Sequence, residues 1–242
     1  MREDQGNYWW ELRHCAYYDS FAKHKIIYPD ISLESRFSFD TGEFYTNATL
    51  FIIPKSDKYL LCLLSSKVLW YFFSSICPVI GDPSKRGRLR LKTVYIKDTP
   101  IKKISLEKQI PFINRADIML AKNKELQELN NNFWELFRAD VMLENIPTKL
   151  EKWYLLDWKD FVAELKKKKL ELSGKLKDEW FDRFKRKQEE ALEIKKVIDR
   201  TDAEIDIMVY KLYELTFEEV KIVDPEFGMN KSEYDGYEIP EE

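Results

Sequence analysis

The chain has 242 residues, a mass of 29.1 kDa and a formal net charge of −3. Hydrophobic residues make up 44% of it and aromatic residues 14%, which suffices for a core and excludes a chain that is disordered throughout. Its 7 glycines form no Walker or dinucleotide-binding loop, so the sequence predicts no nucleotide site of either kind.

Cysteine and histidine usage argues against a metal site. The three cysteines show no CxxC spacing and there are only two histidines, so four zinc ligands cannot readily be assembled. We expect free thiols in a reducing, cytoplasmic location. The first seven residues are charged and lack the apolar segment of a signal peptide.

Charge is distributed unevenly along the chain. Residues 1–112 carry 17 Lys and Arg against 12 Asp and Glu, whereas residues 113–242 carry 23 against 31. Because attraction to a polyanion depends on the local patch and not on the total charge, the basic first half is compatible with a nucleic-acid partner.

Residues 1–104 predict a mixed α/β domain. Short β-branched or aromatic segments bounded by Pro, Asp, Gly and Asn are typical of strands. Four such segments occur: Ile26–Tyr28, Arg36–Phe39, Ala48–Ile53 and Thr93–Ile96. Between the last two, a single helix is expected from Asp57 to about Ile76, capped by Ser56 and apolar on nearly all sides.

The segment Tyr59–Ile80 has a second interpretation. It is 22 residues long with one charge, Lys67, so by length it could span a bilayer. A central lysine costs roughly 2.5–3.5 kcal/mol on insertion, and four serines reduce the gain further. We therefore favour a buried core helix and no membrane partner, with a membrane-anchored helix protein as a rival reading.

A basic segment, Lys85–Lys92, follows that helix. Five of its eight residues are Lys or Arg and none is acidic. In an extended backbone two leucines would face one side and four basic residues the other: Arg86, Arg88, Arg90 and Lys92. Such a ribbon suits a phosphate track, although a solvated edge strand protected by its charge has the same pattern.

From Ser105 onward helical spacing replaces the strand patterns, which predicts an all-helical extension over 105–224. Four helices are expected: Leu106–Asn131, Lys159 to about Asp199 with a break at Ser173-Gly174, and roughly 202–214 and 217–223. The last two begin at capping-box patterns. A loose acidic tail is expected over 225–242.

No catalytic motif accompanies these elements. The chain lacks the glycine-rich turn and the Asn/Asp-Pro-Pro-Tyr/Phe loop of an amino-methyltransferase. Pro29-Asp30 and Glu164-Leu165-Lys166 are nominal halves of a nuclease motif, but they lie far apart and both are common by chance. The sequence therefore predicts no catalytic residue and no metal ligand.

An ordered series of motifs in the first hundred residues resembles a known family. The series comprises Trp10-x-Leu12-Arg13-x-Cys15-x-Tyr17-Tyr18, Phe21-x-Lys23-x-Lys25-Ile26-Ile27-Tyr28-Pro29-Asp30, Arg36-Phe37, Phe44-Tyr45, Tyr59-Leu60-Leu61 and the arginine-rich segment before Thr99-Pro100-Ile101. Over roughly residues 8–104 it resembles the TaqI-like C-terminal specificity (target-recognition) domain of adenine-specific DNA methyltransferases. The same domain occurs in type IIG restriction-modification enzymes.

The resemblance implies a division of labour. This α+β domain, followed by its helical extension, would grip double-stranded DNA and read a short site. A separate N-terminal methyltransferase domain or subunit would bind S-adenosylmethionine and methylate a flipped adenine, with or without a fused restriction endonuclease. No cofactor is therefore expected in this chain. It is either a fragment of a longer enzyme or a split specificity subunit.

Basic side chains are the candidates for DNA contact, because arginine suits bidentate guanine readout and lysine suits phosphate positioning. The candidates are Arg13, Lys23, Lys25, Arg36, Lys85, Arg86, Arg88, Arg90 and Lys92. The alternative function is a protein-interaction module that binds a partner subunit through its acidic helices.

Overall fold

The structure is a computed structural model that describes residues 8, 17–82, 87–141, 143 and 145–241. By its contacts the chain divides into two compact units. Unit 1 comprises residues 1–116 and 205–242, and unit 2 comprises residues 117–204. The predicted fold class, an α+β region followed by a helical one, is confirmed. The domain boundaries predicted at 104 and 224 stay predictions.

The described part of unit 1 contains two three-stranded antiparallel sheets, ordered β3-β1-β4 and β2-β6-β5. The strands are β1 (Lys25–Pro29), β2 (Ile31–Ser32), β3 (Ser38–Asp40), β4 (Leu50–Ile53), β5 (Val79–Ile80) and β6 (Arg88–Arg90). In the first sheet Ile26 pairs with Phe39 on one side and with Ile53 on the other, which makes β1 the central strand.

Helices account for most of the remaining chain. They are α1 (Lys58–Ser65), α2 (Lys67–Ile76), α3 (Thr93–Ile96), α4 (Leu106–Val141), α5 (Trp158–Lys167), α6 (Gly174–Leu212), α7 (Phe217–Val223) and α8 (Lys231–Asp235). Both long helices, α4 and α6, begin in one unit and end in the other.

The single helix predicted from Asp57 to Ile76 is wrong, because the chain breaks at Ser66 into α1 and α2. The Ser66 hydroxyl caps α2 by accepting from the N–H of Leu69 and donates to the carbonyl of Leu63 (2.7 Å). Asp57, and not Ser56, caps α1. A short polar side chain that competes for backbone groups thus interrupts an otherwise continuous apolar pattern.

No single helix in the described part of the chain is long and apolar enough to cross a membrane. One pair, α1 with α2, passes the length and composition test together but is bent by 63°.

The predicted strand Thr93–Ile96 is also wrong, because these residues form the one-turn helix α3. The turn directs Ile96 into the core and brings the Thr93 hydroxyl into a hydrogen bond with Tyr28. β-branched residues fit a strand by propensity, but tertiary contacts decide the conformation of so short a segment.

The two capping-box patterns near the C-terminus have different outcomes. Thr216 and Glu219 form the predicted box, and α7 follows it. The helix predicted to start near residue 202 is wrong, because α6 runs through Thr201 without interruption. Neither Gly nor Pro occurs between 175 and 212, so no residue of these two types interrupts α6 near Thr201. After Asp224 the chain forms α8, which buries Tyr234.

Unit 2 is built around aromatic side chains. The Trp153 ring stacks on Phe133 with 3.6 Å between centroids, and Phe161 and Phe184 pack edge-on or tilted around them. The indole N–H of Trp153 donates to Asn130 (2.9 Å), so the buried ring has its polar partner. Stacked and edge-on aromatic rings therefore form the core of this unit.

Candidate nucleic-acid interface

Asp30 joins the two sheets of unit 1. It separates β1 from β2, and its N–H donates to the carbonyl of Thr49 (2.9 Å) beside β4. Its own carbonyl accepts from the N–H of Leu91 (2.7 Å), just after β6. The Pro29-Asp30 pair thus turns the chain from one sheet into the next, a structural role that the nuclease-like pattern did not indicate.

An open groove of about 370 Å³ lies where the two sheets meet. Residues from β1, β2, β3, β4 and β6 and from the turn after β2 line it. Those used below are Arg36, Arg88, Ser38, Ile31 and Leu33. We call it the arginine groove, because two predicted DNA contacts that are far apart in sequence, Arg36 and Arg88, both line it.

Each arginine of the groove is exposed. Arg36 donates two hydrogen bonds to one oxygen of Glu34, with Nε and Nη2 at 3.0 and 2.8 Å from Oε1, in a pair that is about two-thirds exposed on both sides. Such a pair is held weakly in water and exchanges readily for another acceptor. Arg88 projects from β6, whose partner β2 places Ile31 opposite Arg90.

The alternation predicted for the basic segment is confirmed over residues 88–92 of its described part, 87–92. Leu89 and Leu91 are buried, Arg88 and Lys92 are exposed, and Arg90 is partly exposed. The Nε of Arg90 lies 3.5 Å from Asp30 Oδ2, so this arginine already has a carboxylate partner at the junction of the sheets. Arg90 therefore contributes more to positioning β6 than to a free basic surface.

Lys25 does not lie where a DNA contact must lie. It is fully buried in β1, and its ammonium group is bound by the Asp40 carboxylate and by the carbonyl of Phe21 (2.6 Å). An ammonium so enclosed cannot reach a phosphate. The expectation that Lys25 contacts DNA is therefore wrong, because Asp40 on β3 pairs with it in register and the two side chains form a buried ion pair.

The remaining candidates divide between exposed and undescribed positions. Lys23 is exposed in the turn before β1. Arg13, Lys85 and Arg86 lie outside the described residues.

Exposed aromatic side chains in the segments before β1 and after β3 were missed as a site by sequence reasoning. Tyr17, Tyr18, Phe44 and Tyr45 are each 60% exposed. Tyr45 stacks on the buried ring of Phe21 with 5.2 Å between centroids and an interplanar angle of 27°. The sequence indicates Phe44-Tyr45 only as part of the motif series, because the exposure of these two side chains cannot be derived from the sequence.

The chemistry of these surfaces is that of binding. Burial raises the pKa of the Tyr28 hydroxyl at the groove, against a lowering effect of the hydrogen bond with Thr93, so the phenol stays protonated. Among the described residues no group of three or more His, Cys, Asp or Glu side chains is placed to hold a metal ion. The groove offers guanidinium and hydroxyl donors together with apolar surface, a set suited to anions and base edges.

Comparison with known proteins agrees with this geometry. Residues 105–209 match a domain family of unknown function, DUF8810. No curated protein and no solved structure matches the chain. Residues 2–101, which include both sheets and the arginine groove, match the family described as the TaqI-like C-terminal specificity domain. The family resemblance that the motif series predicts is therefore confirmed, and residues 2–101 are similar to a TaqI-like C-terminal specificity domain.

Proposed function

We propose that this chain reads the target sequence for a site-specific adenine-N6 DNA methyltransferase of a restriction-modification system. The family match over residues 2–101 supports a role in DNA sequence recognition. The observation that assigns the proposed role to particular residues is the arginine groove, because two exposed arginines from separate parts of the chain line this one open surface.

Within this proposal Arg36 and Arg88 contact base edges. A guanidinium group can donate two hydrogen bonds to O6 and N7 of one guanine in the major groove, and the exposed Ser38 adds a hydroxyl beside them. The exposed apolar side chains Ile31 and Leu33 suit contact with a thymine methyl group. Lys23 and Lys92, exposed outside the groove, serve as phosphate contacts that fix the register of the protein on the duplex.

The chemical step belongs to another part of the enzyme in this proposal. A methyltransferase domain or subunit, in the cytoplasm, binds S-adenosylmethionine and takes up the flipped adenine. The residues of this chain bind and orient the duplex, so that the adenine of the recognised site meets the methyl donor.

The test is a selection of duplexes from a pool with a randomised central region, using the full chain at low salt. We expect enrichment of a short site, and a log Kd that rises with log[salt] at about 0.9 per phosphate neutralised. Arg36→Ala and Arg88→Ala should each weaken the enriched site about 5- to 150-fold, because one bidentate base contact is worth roughly 1–3 kcal/mol. Both should relax the preference at one base position.

Lys175→Ala is the matched control. It removes one positive charge from an exposed lysine of unit 2, whose partner Glu179 lies 3.5 Å away. It should change neither the enriched site nor the affinity. A pool that yields no enriched sequence, or arginine variants that bind all duplexes equally less well, would argue against base reading by this groove.

Binding of a partner subunit by unit 2 is the alternative function. An open groove of about 770 Å³ lies between α4 and α6 there, with apolar side chains such as Leu136 and Ile194 beside acidic ones such as Glu189 and Glu193. Deleting 105–242 cannot separate the two functions, since residues 205–242 belong to unit 1. Charge reversal at Glu189 and Glu193 does separate the two functions, because under the main proposal it should leave the selected DNA site unchanged.

A further inference from the structure

We infer that the aromatic loop, residues 41–45, presses the ring of Phe44 between base pairs of the bound duplex as an apolar wedge. The inference rests on the proposed function, because duplex DNA is the ligand in both. It adds a second contact of different chemistry, since the loop offers aromatic surface where the arginine groove offers hydrogen-bond donors.

The aromatic loop exposes surface that a folded protein normally covers. Phe44 and Tyr45 are each 60% exposed, and Tyr17 and Tyr18 nearby are exposed to the same extent. Single exposed hydrophobic residues are ordinary, but four exposed aromatic residues in two short segments are typical of a surface that binds a partner. Tyr18 lies 5.9 Å from Tyr45 between centroids, so these two rings form one patch, and Phe44 is the next residue along the loop from Tyr45.

The backbone of the loop is held firmly although its rings are exposed. Asp40, at the end of β3, accepts from the N–H groups of Glu43 (3.2 Å) and Phe44 (3.4 Å). The same carboxylate is bound by the buried Lys25. Gly42 has φ +102°, and a Cβ there would lie 2.5 Å from the carbonyl oxygen of Ala22. A loop fixed in this way loses little further freedom on binding, as a preorganised contact requires.

The two aromatic residues of the loop differ in their support. Tyr45 rests on Phe21, which is itself buried, so one face of its ring is already covered. Among the described residues Phe44 makes no aromatic contact, which leaves its ring as the free tip of the loop. Phe44 is therefore the side chain placed to enter a base step, with Tyr45 supporting it.

The position of the loop fits the duplex that the arginine groove would bind. Ser38 lines the groove and begins β3, and Asp40 ends the same strand and anchors the loop. Two residues of strand span about 7 Å. DNA grooves are about 6 and 12 Å wide, so one duplex can contact both features.

Charge decides which part of the duplex the loop contacts. Glu43 places a carboxylate on the loop, where it accepts from the Thr41 hydroxyl (3.1 Å). A negative group next to the aromatic tip disfavours a phosphate track. Aromatic rings inserted between base steps bind bases, unstack them and bend the duplex, and they need no positive charge to do so.

The test compares Phe44→Ala with wild-type full-length chain on the duplex enriched in the selection. We expect Kd to rise about tenfold while the slope of log Kd against log[salt] stays the same, because no phosphate contact is lost. With 2-aminopurine placed in turn at adenine positions in and beside the site, wild-type protein should raise its fluorescence by unstacking. Phe44→Ala should abolish that rise, and Phe44→Trp should retain it.

Tyr71→Ala is the matched control, since Tyr71 is 48% exposed on α2 in the same unit. It should leave affinity and fluorescence at wild-type values, and neither variant should change the unfolding midpoint. The inference is overturned if Phe44→Ala binds and unstacks the duplex as wild type does, or if Tyr71→Ala loses as much. Failure of the wild-type chain to enrich any duplex would instead overturn the proposed function.

Discussion

Lys25 and Asp40 form a buried ion pair that organises the loop after β3. Lys25 is fully buried and Asp40 is 3% exposed. Replacing Lys25 by Met leaves a buried carboxylate without its cation, which should lower the free energy of unfolding by about 3–5 kcal/mol. Urea denaturation measures this, and Lys23→Met, at an exposed lysine two positions earlier, should have no effect. Equal stability of both variants would contradict the assignment.

The same pair gives the stability of unit 1 a defined pH dependence. Burial by itself would raise the pKa of Asp40, but hydrogen bonds from Lys25 and Glu43 and the charge of Lys25 outweigh it and hold that pKa below its usual range. The unfolded chain then takes up the proton first, so this stabilisation is present above the ordinary Asp pKa of about 3.9 and is lost as the pH falls below it. The double variant Lys25→Met, Asp40→Leu should decline less steeply below about pH 4.

For single residues, the sequence predicted which side chains alternate along a strand, but it did not predict which partners surround them. The alternation of leucine and arginine in the basic segment carried a correct prediction, because a strand has a period of two whatever lies around it. Lys25 carried a wrong one, since a lysine at the start of a strand resembles a solvated residue until its partner is known. No feature of the sequence near Lys25 indicates that its partner is Asp40, which lies fifteen positions later.

At the scale of elements, Lys67 ties α2 to the C-terminal part of unit 1. Its N–H donates to Asp206 Oδ1 (2.9 Å), and its ammonium group lies 2.8 Å from Asp224 Oδ2. Tyr210 donates its hydroxyl to the same Asp224 oxygen (3.2 Å). The single charge that argued against a membrane span in the sequence is thus a connection between segments that are far apart in the chain.

Asp224→Ala should weaken this connection measurably. The substitution removes the acceptor of a buried tyrosine hydroxyl, which should cost about 1–3 kcal/mol of unfolding free energy. Lys231→Ala breaks an exposed pair with Glu218 (2.6 Å) and serves as the control, with no measurable loss expected. Denaturation curves for the two variants compare them directly, and a control as damaging as Asp224→Ala would show that burial is not what matters.

Predictability of elements followed the strength of their local signals. The box at Thr216 and Glu219 started a helix because the chain had just ended one, with Glu214 at φ 59°. The similar pattern at Thr201 lies inside α6, where the backbone N–H groups are already bonded within the helix and need no capping side chain. The break at Ser66 was missed because its cause is shared between the serine itself and Asp206, a residue of a distant helix.

At the scale of the whole molecule, unit 1 depends on residues 205–242. The Tyr213 hydroxyl donates to the carbonyl of Pro100 (2.6 Å), and Lys102 pairs with Glu214 (2.5 Å). A cluster of buried residues from α6 to α8 also packs against Val68 of α2. None of these contacts could be read from the sequence, since each joins residues more than a hundred positions apart.

A chain that ends at residue 204 should therefore have a destabilised unit 1. Hydrogen exchange of the amides of β1 and α1 should accelerate more than about tenfold, and selection of a DNA site should be lost. A chain ending at residue 236, which keeps α6, α7 and α8, is the control and should retain both properties. Unchanged exchange in the shorter chain would mean that residues 1–116 need no help from the C-terminus.

The discontinuous make-up of unit 1 has a consequence for how specificity can be inherited. An exchange of gene segments that replaced only the first 116 codons would bring in a new groove and a new aromatic loop. Asp206, Tyr213 and Asp224 would then contact the residues that the new segment has at positions 67 and 100. Recombinant proteins should fold only where these contacting residues are compatible. Residues 1–116 and 205–242 should therefore vary together in sequence, whereas unit 2 can vary independently of them.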